Sequence, residues 1–291
     1  MLKRIRLKNN CWCGSGKPYD DCHGKYDDAI KAAIKLRRPV PTRKMLKTNA
    51  QLDGMRRSAA VNMAVLDYVG ENIAEGISTE DINRLVYEKT TSLHGIPAPL
   101  NYEGFPKSVC VSVNREVCHG IPSKKTILKS GDIVNVDCST ILDGYFSDSS
   151  RMFCIGDVSE ENRRLVKAAK ECVLKGLEQV RPLGHLGDVG QAVNDCAKSY
   201  GYSVVREIGG HGVGLEFHED PWVSYVSRRG TGMLLVPGMV FTIEPMVNMG
   251  SCRIFTDKKN GWTVYTADGK PSAQWEYMVL VTETGYEVMS T

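Results

Sequence analysis

Along residues 52–69 the apolar side chains Leu52, Met55, Ala59, Met63, Leu66 and Val69 recur at spacings of three and four. That period predicts a helix with one buried face. Ser78-Thr79-Glu80-Asp81 then matches an N-terminal capping signature, and Ile82, Leu85 and Val86 continue a second helix. Strand patterns follow at Val109–Val113, Asp132–Ile141 and Tyr145–Ile155. The order then recurs. Ser159 precedes a helix carrying Leu165, Val166, Ala169 and Val173, and Val189, Val193 and Cys196 mark another. Strand-like runs come after these near Val204-Val205, Met239–Val247 and Gln274–Val281. Two rounds of helix, helix, strands suggest an internal duplication. Strands segregated from helices predict an α+β body, an antiparallel sheet backed by helices.

Composition narrows the class. A chain of 291 residues with 42% hydrophobic residues and a net charge of +3 is too apolar and too nearly neutral for disorder. No apolar run approaches the roughly 18 residues of a membrane span. The start, Met1-Leu2-Lys3-Arg4-Ile5-Arg6, has no apolar segment of a secretory signal. Ten Cys are too sparse for a disulfide scaffold, so a cytoplasmic protein with reduced thiols is expected. Charge divides the chain. Residues 1–50 hold thirteen Lys and Arg against four Asp, leaving 24 basic and 30 acidic residues for the rest. A basic head, 1–50, with X-Pro steps at Pro39-Val40-Pro41, therefore precedes a mildly acidic body, 51–291.

The body's most informative stretch is a hairpin. Asp143-Gly144 between two apolar runs predicts a two-residue turn. That turn sets residue 139 opposite 148 and 137 opposite 150, so Asp137 and Asp148 become diagonal neighbours on one face. Two carboxylates that close either belong to a solvated hairpin face or hold cations between them, because burying them uncompensated is costly. Other residues favour the second reading. His211 stands among glycines in Gly209-Gly210-His211-Gly212-Val213-Gly214, where backbone can approach a ligand; the glycine spacing does not fit a dinucleotide fingerprint. Glu244 and Glu276 lie within the apolar runs Met239–Val247 and Gln274–Val281. Jointly these side chains could serve two metal ions.

At this point the motifs resemble those of type I methionine aminopeptidases, over essentially all of residues 51–291. They include Phe105-Pro106-Lys107-Ser108-Val109-Cys110, Val117-Cys118-His119-Gly120-Ile121-Pro122 and Gly131–Asp137. Asp148-Ser149-Ser150, Gly210–Gly214, Phe217-His218-Glu219-Asp220-Pro221, Thr242-Ile243-Glu244-Pro245 and Gly261-Trp262-Thr263-Val264 follow in order. The resemblance implies the pita-bread (creatinase/aminopeptidase) fold, whose pseudo-symmetric halves agree with the suspected duplication. It implies a metallo-exopeptidase that removes the initiator Met cotranslationally from nascent polypeptides whose second residue is small. Asp137, Asp148, His211, Glu244 and Glu276 would be the metal ligands, with Asp148 and Glu276 bridging two ions. Glu244 would accept a proton, His218 would stabilise the tetrahedral intermediate, and His119 would contact the substrate amide or the leaving nitrogen. Tyr102, Phe105, Phe217 and Trp262 would form the Met pocket. Hard oxygen donors with one His suit Mn, Fe, Co or Zn. Prolidase-like relatives carry an extra N-terminal domain for which fifty residues are too few. A binding protein that keeps the fold is opposed by the complete ligand set. Tyr277 departs from the family, which usually has His after the second Glu. Because Leu2 is bulky, this chain is expected to retain its own Met1.

The head gathers Cys11, Cys13, Cys22 and His23, a donor set suited to one structural zinc ion. The stretch resembles the SEC-C zinc-binding motif. A segment this short has almost no core, so the metal would supply most of its folding free energy. Arg37, Arg38, Arg43, Lys44 and Lys47 beside it form either a solvated linker or a contact for ribosomal RNA. No membrane partner is expected, and a monomer is.

Overall fold

The computed structural model describes residues 10–290. Met1 and Leu2, with the expectations of a retained initiator Met and no secretory leader, lie outside the described residues. Five long helices occur among the described residues: α1 Asp27–Lys35, α2 Asn49–Asn72, α3 Thr79–Ser92, α4 Glu160–Leu177 and α5 Leu186–Ser199. Four start where the sequence carries start signals or apolar period. Thr48 caps α2 by accepting from the Gln51 N–H, and Ser78 caps α3 in a capping box closed by Asp81. Ser159 Oγ accepts from the Asn162 N–H at the start of α4. At α5 the cap is Asp188 reaching back to the His185 N–H, which gives His185 a structural role. The helix α1 was not among the expected elements, although Tyr26, Ile30 and Ala33 recur at spacings of four and three and pack on the core.

Each helix pair backs one half of the body. Val65, Leu66 and Val69 of α2 with Ile82 and Val86 of α3 pack on Val109, Val111, Val134 and Val136. Leu165, Ala169 and Val173 of α4 with Val189 and Val193 of α5 pack on Phe241, Ile243, Val247, Val279 and Val281. The first half holds a sheet in which Ile133–Leu142 pairs with Tyr145–Cys154 on one edge and with Ile96–Pro97 and Cys110–Val113 on the other, all antiparallel. The second holds a five-stranded sheet in the order Tyr286–Val288, Tyr277–Val281, Val240–Ile243, Gly210–Gly212, Glu219–Val223. Smaller three-stranded sheets join them.

The long hairpin keeps the register its turn dictates. Asp143 and Gly144 both have positive φ, at 52° and 81°, and Asp137 faces Ser150 while Ser139 faces Asp148. Two expected strands are broken instead of continuous. Met239–Val247 divides into Val240–Ile243 and Met246–Asn248, and the C-terminal run into Ser272–Gln274 and Tyr277–Val281. The break has a physical cause. Ile243 pairs with Tyr277 in one sheet and Met246 with Gln274 in another, so Glu244-Pro245 and Trp275-Glu276 form the joint between sheets. Pro245 has no N–H to continue a ladder.

Candidate metal centre

Three elements converge on one cavity of about 760 Å³. The hairpin contributes Asp137 and Asp148, the glycine-flanked strand His211, and the joint between sheets Glu244 and Glu276. The glycines beside His211 are required by packing. A Cβ at Gly210 would lie 2.4 Å from the Thr242 carbonyl oxygen, and one at Gly212 would lie 2.2 Å from that of Asp220. The strand is thus clamped between its neighbours with only the imidazole projecting.

Donor atoms of Asp148, His211 and Glu276 all lie within 4.8 Å of one another. His211 Nε2 is 3.6 Å from Asp148 Oδ2 and 3.4 Å from Glu244 Oε1. Asp137 lines the same cavity beside this tight group. The His211 Nδ1–H donates to the Gly212 carbonyl at 2.9 Å, which leaves Nε2 with its lone pair facing two carboxylates. Burial holds that imidazole far below its usual range, at about 3, so it is neutral. A lone pair opposed to carboxylate oxygens is repulsive unless a proton or a cation lies between.

The carboxylates carry the same strain. Burial lifts Asp137 to about 7 and Glu244 to about 8. Burial, with the neighbouring carboxylates, pushes Asp148 and Glu276 well up. Among the described residues no Lys or Arg pairs with any of them within 4.0 Å, and Glu276 Oε1 is buried with no hydrogen-bond partner. Three further oxygens are oriented: Ser139 Oγ donates to Asp148 at 2.8 Å, Thr242 Oγ1 to Glu244 at 2.6 Å and Gln274 Nε2 to Glu244 at 3.2 Å. An orphaned oxygen, an aimed lone pair and a hard donor set fit divalent cations.

The remaining site candidates surround this group. His119 lines the cavity with φ of 56°, and burial lowers its imidazole to about 4. Gly120 beside it has no room for a Cβ, which would meet the Val111 carbonyl oxygen at 2.1 Å. The His218 ring lies 4.3 Å from that of His211, and its Nδ1 is 2.9 Å from the Tyr102 hydroxyl. Tyr102 meets Phe217 edge-on at 4.9 Å, and Phe105 meets Trp262 edge-on at 5.2 Å, so all four aromatics line the cavity. His94 is absent from the cavity lining. Sequence reasoning missed Thr42, Lys44, Met45 and Trp222, which also line it, and the ion pair of Lys47 with Glu219, buried next to His218. Of these only Glu219 lies in one of the motifs, and none lies in an apolar period.

The head holds a second cluster. Cys11, Cys13, Cys22 and His23 have donor atoms within 4.8 Å of one another. Cys11 Sγ lies 3.2 Å and Cys22 Sγ 3.4 Å from His23 Nδ1, and Cys13 and Cys22 sulfurs are 3.6 Å apart. Here the Nε2–H donates to the Pro237 carbonyl at 3.1 Å, leaving Nδ1 for the three buried thiols. This set fits one tetrahedral cation.

Comparison with known proteins agrees with this geometry. The pattern of metallopeptidase family M24 matches residues 53–283, and the SEC-C motif matches residues 9–25. A methionine aminopeptidase of Rickettsia prowazekii is 44% identical over 247 residues, covering 84% of this chain and 95% of that protein. Its counterpart from Chlamydia muridarum is 39% identical over 293 residues, covering 98% of this chain and 99% of the other. The crystal structure of the methionine aminopeptidase from Rickettsia prowazekii superposes with a TM-score of 0.83 at 43% identity, over 84% of this chain and 99% of that one. A prolidase from Pyrococcus furiosus, 22% identical with a TM-score of 0.68, covers 91% of this chain and 68% of its own, and shares the fold. The architecture is the pita-bread fold expected from the sequence motifs.

Proposed function

The chain belongs to metallopeptidase family M24, and from that premise we propose that it is a methionine aminopeptidase. It hydrolyses the bond after the initiator Met of nascent chains whose second residue is small, in the cytoplasm and as a monomer. The observation that carries the reading is the neutral His211 Nε2 aimed at Asp148 and Glu244, beside the partnerless Glu276 oxygen. Asp137, Asp148, His211, Glu244 and Glu276 would hold two divalent cations, Mn, Fe, Co or Zn. Bound there, such ions acidify a water and polarise a carbonyl.

The chain's own groups do the rest. Glu244, as carboxylate, accepts the proton of the attacking water and passes it to the leaving nitrogen. His119, neutral, hydrogen-bonds the substrate amide, and His218 donates to the oxyanion of the tetrahedral species. Tyr102, Phe105, Phe217 and Trp262 enclose the Met side chain, an apolar group that gains by leaving water.

In this reading residues 1–50 form a zinc-binding module and basic linker, with Cys11, Cys13, Cys22 and His23 as ligands, and residues 51–291 the catalytic domain. Ribosomal RNA is the partner proposed for the basic head. Co-sedimentation with ribosomes at rising salt tests it; equal binding by full-length and 51–291 chains would reject it. The function itself is tested by Met release from Met-Ala-Ser peptides with chelator and then with Mn or Co. Release restored by metal is expected; none under any metal would overturn the reading.

A further inference from the structure

The cavity has one wall that the catalytic body does not supply. Thr42, Lys44 and Met45, in and just before the 3-10 turn Arg43–Met45, line it together with Glu216, Phe217 and His218. The turn is firmly held. The Arg43 guanidinium lies 3.2 Å over the Trp12 ring and donates to the Leu46 carbonyl at 2.8 Å. Leu46 is buried and bridges to Met239, and the Lys47 N–H donates to Gly238 at 2.8 Å. The Lys47 ammonium is buried against Glu219, whose other oxygen accepts the N–H groups of Leu215 and Glu216. One scaffold thus fixes both the linker turn and the loop bearing Phe217 and His218.

A peptide whose N-terminus is processed at the metal site must leave through the mouth of this cavity. We propose that the linker turn is the subsite for the residues following the scissile bond, with Lys44 and Met45 as its specificity-determining side chains. This deepens the peptidase reading and rests on it. Among the described residues Lys44 is the sole Lys or Arg lining the cavity, and its Nζ lies 3.1 Å from Glu216 Oε1. Glu103, Glu216 and Asp220, all exposed, line the same cavity, so its open side is acidic and Lys44 offsets part of that charge. Half-buried Met45 offers an adaptable apolar contact to whatever side chain passes. The subsite therefore takes extended peptides and favours cationic over anionic residues at their third and fourth positions.

The test compares kcat/KM for Met-Ala-Lys-Lys and Met-Ala-Glu-Glu amides, using the full metal-loaded chain. Lys44→Glu should raise the Lys-to-Glu preference by about threefold or more at about 50 mM salt, with the gain shrinking at about 0.5 M. Lys31→Glu, the same charge change on the exposed face of α1 where Lys31 pairs with Asp28, should leave the preference where it was. Should Lys44→Glu fail to fold, a Met-Ala-Lys peptide with a benzophenone side chain at its fourth position is irradiated on the wild-type protein. The label should fall on Met45. A preference unmoved by Lys44→Glu, or moved equally by Lys31→Glu, overturns the inference alone, as does a label confined to the side of the cavity opposite residues 42–45. Failure of the wild-type protein to cleave either peptide overturns the peptidase reading with it.

Discussion

At His211 the ring is held by one nitrogen so that the other is free, and Thr242 fixes both the ring's backbone and its neighbour. The His211 N–H donates to Thr242 Oγ1 at 3.0 Å while that hydroxyl donates to Glu244. Thr242→Val keeps the shape and removes both bonds. Metal affinity or kcat/KM should fall by about 10- to 100-fold, read by chelator competition and by Met release. Acid–base linkage gives a second expectation. Asp137 near 7 and Glu244 near 8 lie above their unfolded values of about 4, so the folded metal-free protein binds protons that the unfolded chain has released. That stabilisation is complete below about pH 4 and is lost as pH rises toward 8. Cations take the protons' place. The melting temperatures of metal-loaded and chelated protein should diverge by about 4 °C or more between pH 6 and 8, in differential scanning fluorimetry. A gap that narrows would show that these carboxylates do not face the ions. Individual residues were legible where a carboxylate or imidazole stood out of pattern, as Glu244 and Glu276 did in apolar runs. Thr242 and Gln274 were not, because their importance lies in which atom they face.

Among the elements, the strand Gly210–Gly212 is the most constrained. Gly212→Ala would force a methyl group to 2.2 Å from the Asp220 carbonyl oxygen, and backbone on both sides leaves nowhere for it to go. A loss of about 2 kcal/mol or more is expected in urea unfolding. A substitution that proves neutral would mean the neighbouring strand can yield. The hairpin was readable to its register because a two-residue turn fixes pairing along the whole ladder. The breaks at Glu244 and Glu276 were not readable. Apolar residues continue on both sides of each Glu, and besides Pro245 it is the change of partner from one sheet to another that ends the strands there. Short strands such as Val264–Thr266 were also invisible, since three residues carry no usable period.

Across the whole molecule the head and the body share one construction. The Asn49 N–H donates to the Cys13 carbonyl at 2.7 Å, and Lys17 pairs with Glu283 at 3.1 Å. Cys13→Ser should bind one metal ion fewer per chain by elemental analysis and become cleavable by trypsin around Arg37–Arg43, where the wild type resists. Resistance retained by the variant would mean that packing alone seats the head. Charge asymmetry foretold a basic head but not its seat, because contacts such as Lys47 with Glu219 span 172 residues of sequence and leave no local trace. Pro237, which tethers His23, begins the ribbon that ends seven residues later at Glu244. The imidazole of one donor cluster and a carboxylate of the other are thus fastened to the two ends of one short ribbon, so the head is moored to the same backbone that carries Glu244 into the centre.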